Sequence, residues 1–133
     1  MLVDRIRIIE NLVEISRHPK CVVQMNRFEV VCAFIDGYDM AMMRGCLIGF
    51  KEWMIIHGGS VKDAGRMEAH DWCGVLRCIT FPQKNTSSDL SQEESEVALK
   101  ALSINLENYL EFMRGNSPES LFVRYQRWVE AAD

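Results

Sequence analysis

Six stretches of this chain repeat apolar residues at intervals of three and four, and that recurrence leaves few ways for it to fold. Side chains spaced this way share one face of an α-helix, whereas a half-buried strand needs strict alternation. The first stripe holds Leu2, Ile6, Ile9, Leu12 and Val13. It stops ahead of Pro19, which disfavours helix at His18. The second runs through Val30, Val31, Phe34, Ile35, Tyr38, Ala41 and Met42, and the third through Leu47, Phe50, Trp53 and Met54. Trp72, Val75, Leu76 and Ile79 mark a shorter helix that ends at Pro82. Leu99, Leu102, Leu106, Tyr109, Leu110 and Met113 mark a long one, and Leu121, Phe122, Tyr125, Trp128 and Val129 the last.

Cap chemistry punctuates the same segments. Asn26 with Glu29, and Ser91 with Glu94, have the three-residue offset of a capping box, in which each side chain satisfies an N–H near the helix start. Ser117 before Pro118 is an N-cap followed by proline at the first helical position. Gly45 suits a left-handed stop, and Gly115 is expected just past the end of the long helix. The stretch from Ala33 to Met54 therefore predicts an α-hairpin with a short turn around Arg44, Gly45 and Cys46. Gly37 inside the second helix costs about 1 kcal/mol relative to alanine, which predicts a close crossing by another helix there. Residues 58–67 and 83–91 are polar, glycine- or serine-bearing loops, and residues 20–24 are a short strand or an extended connection. The expectation is an all-α, single-domain bundle of about six helices over residues 1–133.

A chain of 133 residues is large enough to bury roughly two thirds of its unfolded surface without disulfides or metal. No apolar run approaches the roughly 20 residues of a membrane span, and charges interrupt the N-terminal apolar stripe, unlike a secretory signal. Five cysteines without regular spacing fit reduced thiols better than a disulfide framework. A cytoplasmic protein without membrane association is expected. Charge is unevenly placed. Residues 1–84 hold 11 Lys/Arg against 10 Asp/Glu, while residues 85–133 hold 4 against 9. An acidic surface repels phosphate backbones and attracts basic partners, so direct nucleic-acid binding is disfavoured.

Reactive chemistry has little local support. His70, Cys73 and Cys78 lie close in sequence but lack the paired spacing of a zinc site, so no metal and no cofactor is expected. No serine elbow or phosphate-binding glycine loop is present. Asp36 and Asp39 share a helix face; as a catalytic pair they would need burial and separated pKa values, whereas as surface groups they need only water. Glu93, Glu94 and Glu96 lie where the helix dipole favours anions. Glu107 and Glu111 form a like-charged pair four apart, mildly unfavourable unless a basic partner compensates. The chain is therefore expected not to be an enzyme. The methionines at 40, 42, 43 and 54 suit either core filling or an adaptable surface.

The order F-I-D-G-Y-D-M-A (34–41), L-I-G-F-K-E-W (47–53) and H-D-W-C-G-V-L (70–76), followed by an acidic amphipathic helix, resembles small bacterial immunity proteins of polymorphic or contact-dependent toxin systems. The likeness spans roughly residues 6 to 113. Of the R-P-x-x-Y-[LI]-G segment common in that group, Arg17 and Pro19 are present. The resemblance implies an inhibitor that binds a cognate toxin, with a basic nuclease domain as the expected partner, and blocks its active-site cleft with acidic surface. Glu93, Glu94, Glu96, Glu107 and Glu111 are the expected partner-facing acids, with Asp36 and Asp39 second. A small enzyme with a site near Cys73, His70 or Asp36, and a dimeric helical adaptor, are the alternatives.

Overall fold

The computed structural model describes residues 2–21, 23, 27–42, 45, 47–59, 67–84 and 88–132. Among them are six α-helices and no strand: α1 (Leu2–Arg17), α2 (Phe28–Met42), α3 (Phe50–Gly58), α4 (Trp72–Thr80), α5 (Gln92–Gly115) and α6 (Pro118–Ala132), with a 3-10 turn at Pro19–Cys21. That turn takes in Lys20 and Cys21 of the stretch read as a short strand or an extended connection, and residues 22 and 24 lie outside the described residues. No helix among the described residues is long and apolar enough to cross a membrane.

The long helix α5 is the spine. Its start is the predicted capping box: the Glu94 N–H donates to Ser91 Oγ at 3.1 Å, and the Ser91 N–H donates to Glu94 Oε1 at 2.9 Å. Leu99, Leu102, Leu106, Tyr109, Leu110 and Met113 are buried as expected, and Ala98 and Ser95 complete the face. Helix α1 makes the most extensive contact with α5, burying Ile8, Ile9, Leu12 and Val13. The cross-pairs Arg17–Glu107 and Glu10–Arg114 show that the two helices run antiparallel. Gly115 is the last residue of α5 rather than the first beyond it.

Helix α2 buries Phe28, Val31, Cys32, Ile35 and Asp39, while Val30, Phe34 and Tyr38 are half-buried and Ala41 is exposed. The buried stripe is thus rotated away from the one read in the sequence, because α2 packs on α1 and α5. Asn26 lies outside the described residues. Part of the capping at this helix start is tertiary, since the Phe28 N–H donates to Ser95 Oγ on α5 at 3.4 Å. Gly37 is not a crossing point: it is exposed, and a Cβ built there meets nothing within 4 Å.

The hairpin read across residues 33–54 is also corrected. Arg44 and Cys46 lie outside the described residues, but the turn continues through Leu47–Gly49, and α3 packs on α4, α5 and α6. Gly49, with φ +97°, is the residue before the first turn of α3. Gly45 also has positive φ. Three groups meet over this turn. The Ile48 carbonyl accepts from Arg5 at 2.6 Å and from the Tyr109 hydroxyl at 2.9 Å, and Arg5 also donates to that hydroxyl at 3.3 Å. Beneath it, Phe50 packs against Trp72 and Tyr109 with ring centroids 5.9 and 5.1 Å apart, and Trp53 meets Tyr109 edge-on at 6.0 Å. The aromatic residues of the F-K-E-W and H-D-W segments are therefore core.

Helix α6 closes the bundle against α3. Its start is capped as predicted, with the Ser120 N–H donating to Ser117 Oγ at 3.2 Å. Leu121 is buried, and Tyr125, Trp128 and Val129 are half-buried. Phe122, read as part of the buried face, is exposed.

Candidate functional site

The residues marked out by the sequence divide into two surfaces. The first is the outer face of α5 with its seam against α1. Glu107 Oε2 lies 2.7 Å from Arg17 Nη2, and Arg17 also holds Glu14 at 3.2 Å. Arg114 pairs with Glu111 and reaches Glu10 at 3.4 Å. Each arginine thus bridges two glutamates. The repulsion between Glu107 and Glu111 is offset inside the chain, so it no longer argues for an outside cation. All six side chains are substantially solvated, and such pairs contribute about 0–1 kcal/mol each. Four carboxylates against two guanidiniums leave the seam with a net charge of −2.

Along the outer face of α5, Val97 and Ile104 are 53% and 49% exposed. They lie two helical turns apart and so project from one side of the helix. Glu93 precedes Val97 by one turn, and Asn108 and Glu111 continue the stripe beyond Ile104. Glu93 and Glu96 are exposed and have no ion-pair partner among the described residues. Lys100, also exposed, lies between the two on the same side, and an apolar pair with a charged surround, mostly acidic, has the anatomy of a protein interface, apolar at the centre and polar at the rim.

Beyond Glu107 and Glu111, two further acids read as partner-facing, Glu94 and Asp39, are held within the chain. Both oxygens of Glu94 take hydrogen bonds from Lys84 Nζ at 2.8 Å, in addition to its part in the capping box. Lys84 foremost, and the Ser91 N–H next, hold the Glu94 carboxyl down at about 2. Asp39 is buried and accepts from the Gly45 N–H at 3.2 Å, tying the end of α2 to the turn that follows. Its placement as a water-facing surface acid is corrected.

The second surface is a groove of about 580 Å³ between α2 and α4. Glu29, Cys32 and Asp36 contribute from α2, spaced three and four apart, and His70, Asp71 and Cys73 from the start of α4. Asp36 accepts from Trp72 Nε1 at 2.7 Å, which pins the two walls together. Asp71 is the N-cap of α4 and accepts from the Gly74 N–H at 2.9 Å. Burial raises the pKa of Asp36; the Trp72 hydrogen bond opposes this, and the neighbouring charges of Asp71 and Asp39 reinforce it. A hydrogen bond with Cys32, followed by burial, pushes the Cys73 thiol far above its ordinary value. A thiol held protonated in this way is a poor nucleophile and a poor metal ligand. No cluster of three or more metal-ligating side chains is found among the described residues.

His70 and Cys73 share the groove, as their sequence spacing suggested, but Cys78 is buried apart from it. The thiol that meets Cys73 is Cys32, far away in sequence. No local signal announces that pairing. Compared with known proteins, the chain matches no protein-family model, no curated protein and no solved structure. The α5 face and the α2–α4 groove are therefore judged on their chemistry alone.

Proposed function

We propose that this chain is an inhibitor of the immunity type, which binds a cognate bacterial toxin domain and covers its basic, nuclease-like active-site cleft with the outer face of α5. The observation that supports this reading is the exposed Val97–Ile104 pair set among Glu93, Glu96, Glu107 and Glu111. Such a patch gives a partner both apolar area and negative potential. The acids speed encounter with a cationic surface and compete with nucleic acid for the same cations. The apolar pair supplies part of the affinity that survives at physiological salt, where the Debye length is about 8 Å. A cytoplasmic site of action follows from this role.

Glu93→Lys/Glu96→Lys and Val97→Ser/Ile104→Ser are the informative double variants, because neither breaks an ion pair among the described residues. Removing two half-exposed apolar side chains from an interface costs about 2 kcal/mol, or roughly thirtyfold in Kd. The charge reversal slows association and steepens the loss at low salt. Once the gene's neighbourhood has been searched for a toxin, calorimetric titration against that toxin's domain tests both. Unchanged affinity in both variants, with native circular dichroism, would remove this face from the interface. The absence of any adjacent toxin that the protein protects against would remove the function.

A further inference from the structure

We propose that the α2–α4 groove is a receptor for one arginine side chain of the partner protein, a proposal that rests on the reading of this chain as a binder of a basic protein. The groove has an apolar floor formed by Phe28, Cys32 and Cys73 and a rim carrying Asp36 and Asp71. An arginine stem is apolar and its head is a planar fork of donors, so it matches a slot of this kind, greasy below and anionic at the mouth. Each rim carboxylate spends one oxygen on the fold: Asp36 Oδ1 on Trp72 Nε1, and Asp71 Oδ1 on the Gly74 N–H. The second oxygen of each has no partner among the described residues. A guanidinium bridging the two Oδ2 atoms would complete both.

His70 and Arg77 line the groove, but among the described residues no basic side chain is ion-paired or hydrogen-bonded to Asp36 or Asp71. The Arg77 Nη2 donates to the Ser88 carbonyl at 2.5 Å and ties the chain ahead of α5. Glu29 adds a third carboxylate along the α2 wall. Crowding of Asp36 by Asp71 and Asp39, together with its partial burial, disfavours its ionised form, a cost that an entering positive charge offsets. Arginine is favoured over lysine because the slot offers two separate oxygens to a forked donor, and Arg–carboxylate pairs gain from bidentate geometry.

The test is an NMR titration of the full chain, ¹⁵N-labelled, with the blocked peptide acetyl-Gly-Arg-Gly-amide at low salt, beside the same peptide carrying citrulline, the neutral isostere of arginine. The expected result is a saturable set of shifts confined to the amides of Cys32, Ala33, Asp36 and residues 71–74, absent with citrulline. Asp36→Asn/Asp71→Asn keeps an acceptor oxygen for Trp72 and for the helix cap, so its spectrum stays native while the peptide's apparent Kd rises at least fivefold. Equal shifts with citrulline, shifts spread over the α1–α5 acids without groove saturation, or an unchanged Kd in the double variant would each overturn the proposal. Toxin binding lost in the α5 variants with peptide binding intact would leave the groove standing. Toxin binding that is insensitive to the α5 variants, with the peptide excluded from the groove by the bound toxin, would support the groove and sink the α5 interface.

Discussion

Two glycines separate space from conformation in this fold, and replacing each by alanine has opposite consequences. Gly37 is a helical residue on the exposed face of α2, and a Cβ there meets nothing within 4 Å. Gly37→Ala therefore removes the helix penalty of glycine at no steric cost, a gain of about 0.5–1 kcal/mol. Gly49 is the opposite case. Its φ of +97° disfavours any L side chain by about 1–2 kcal/mol. An added Cβ would also lie 2.9 Å from Leu121 Cδ2 and 3.2 Å from the Tyr109 hydroxyl. Both neighbours are fully buried, and Tyr109 is held by its bond to Ile48. Neither yields without disturbing the docking of α3 or α6, an overpacking cost of about 1–3 kcal/mol. The sum for Gly49→Ala is roughly 2–5 kcal/mol of lost stability. For a domain of this length each kcal/mol is about 3–4 °C, so Tm should fall by roughly 6–20 °C, whereas Gly37→Ala raises it by about 2–4 °C. Urea denaturation followed by tryptophan fluorescence, with calorimetry alongside, measures both. A loss under about 1 kcal/mol for Gly49→Ala, or any loss for Gly37→Ala, would refute the account of the turn and of α2.

Glu94→Gln should flatten the acid side of the stability profile. The folded pKa of Glu94 is lowered to about 2 from an ordinary 4.5. Its contribution is therefore present above about pH 4.5 and lost as pH falls toward 2, and the Tm gap between wild type and Glu94→Gln should be widest near neutrality and close over that window. A gap that stays constant with pH would show that Lys84 and the cap do not act on the ionised form. Cysteine labelling should follow exposure and thiol state: peptide mapping after brief iodoacetamide treatment of the native protein should find Cys21 modified well ahead of Cys32, Cys73 and Cys78. Fast modification of Cys73 would contradict the shared hydrogen bond with Cys32.

The start of α5 shows what is legible locally. Ser91 and Glu94 satisfy each other's N–H groups within four residues, so their arrangement follows from spacing alone, as does Ser117 before Pro118. The stripes of α1, α4 and α5 are legible for the same reason: a 3.6-residue period commits a segment to helix whatever it packs against. The face that α2 buries is less legible. Val31 and Ile35 belong to either candidate stripe, and the choice between Phe34 and Cys32 depends on where α1 and α5 lie. The site residues behave similarly. The exposure of Glu93 and Glu96 is visible from pattern, but the commitment of Glu94 to Lys84 and of Asp39 to Gly45 is not.

What the chain's order of residues determines by itself is the helical class, the starts of α5 and α6, and a C-terminal surplus of acid, because each depends on periodicity, capping or counting over short range. Tertiary structure alone decides that Arg17 and Arg114 neutralise part of that acid, that Gly37 faces open space, and that Cys32 and Cys73 meet across a groove rimmed by Asp36 and Asp71. These are juxtapositions of separate helices, and their geometry is set by how all six bury one shared core, which no short window of sequence contains.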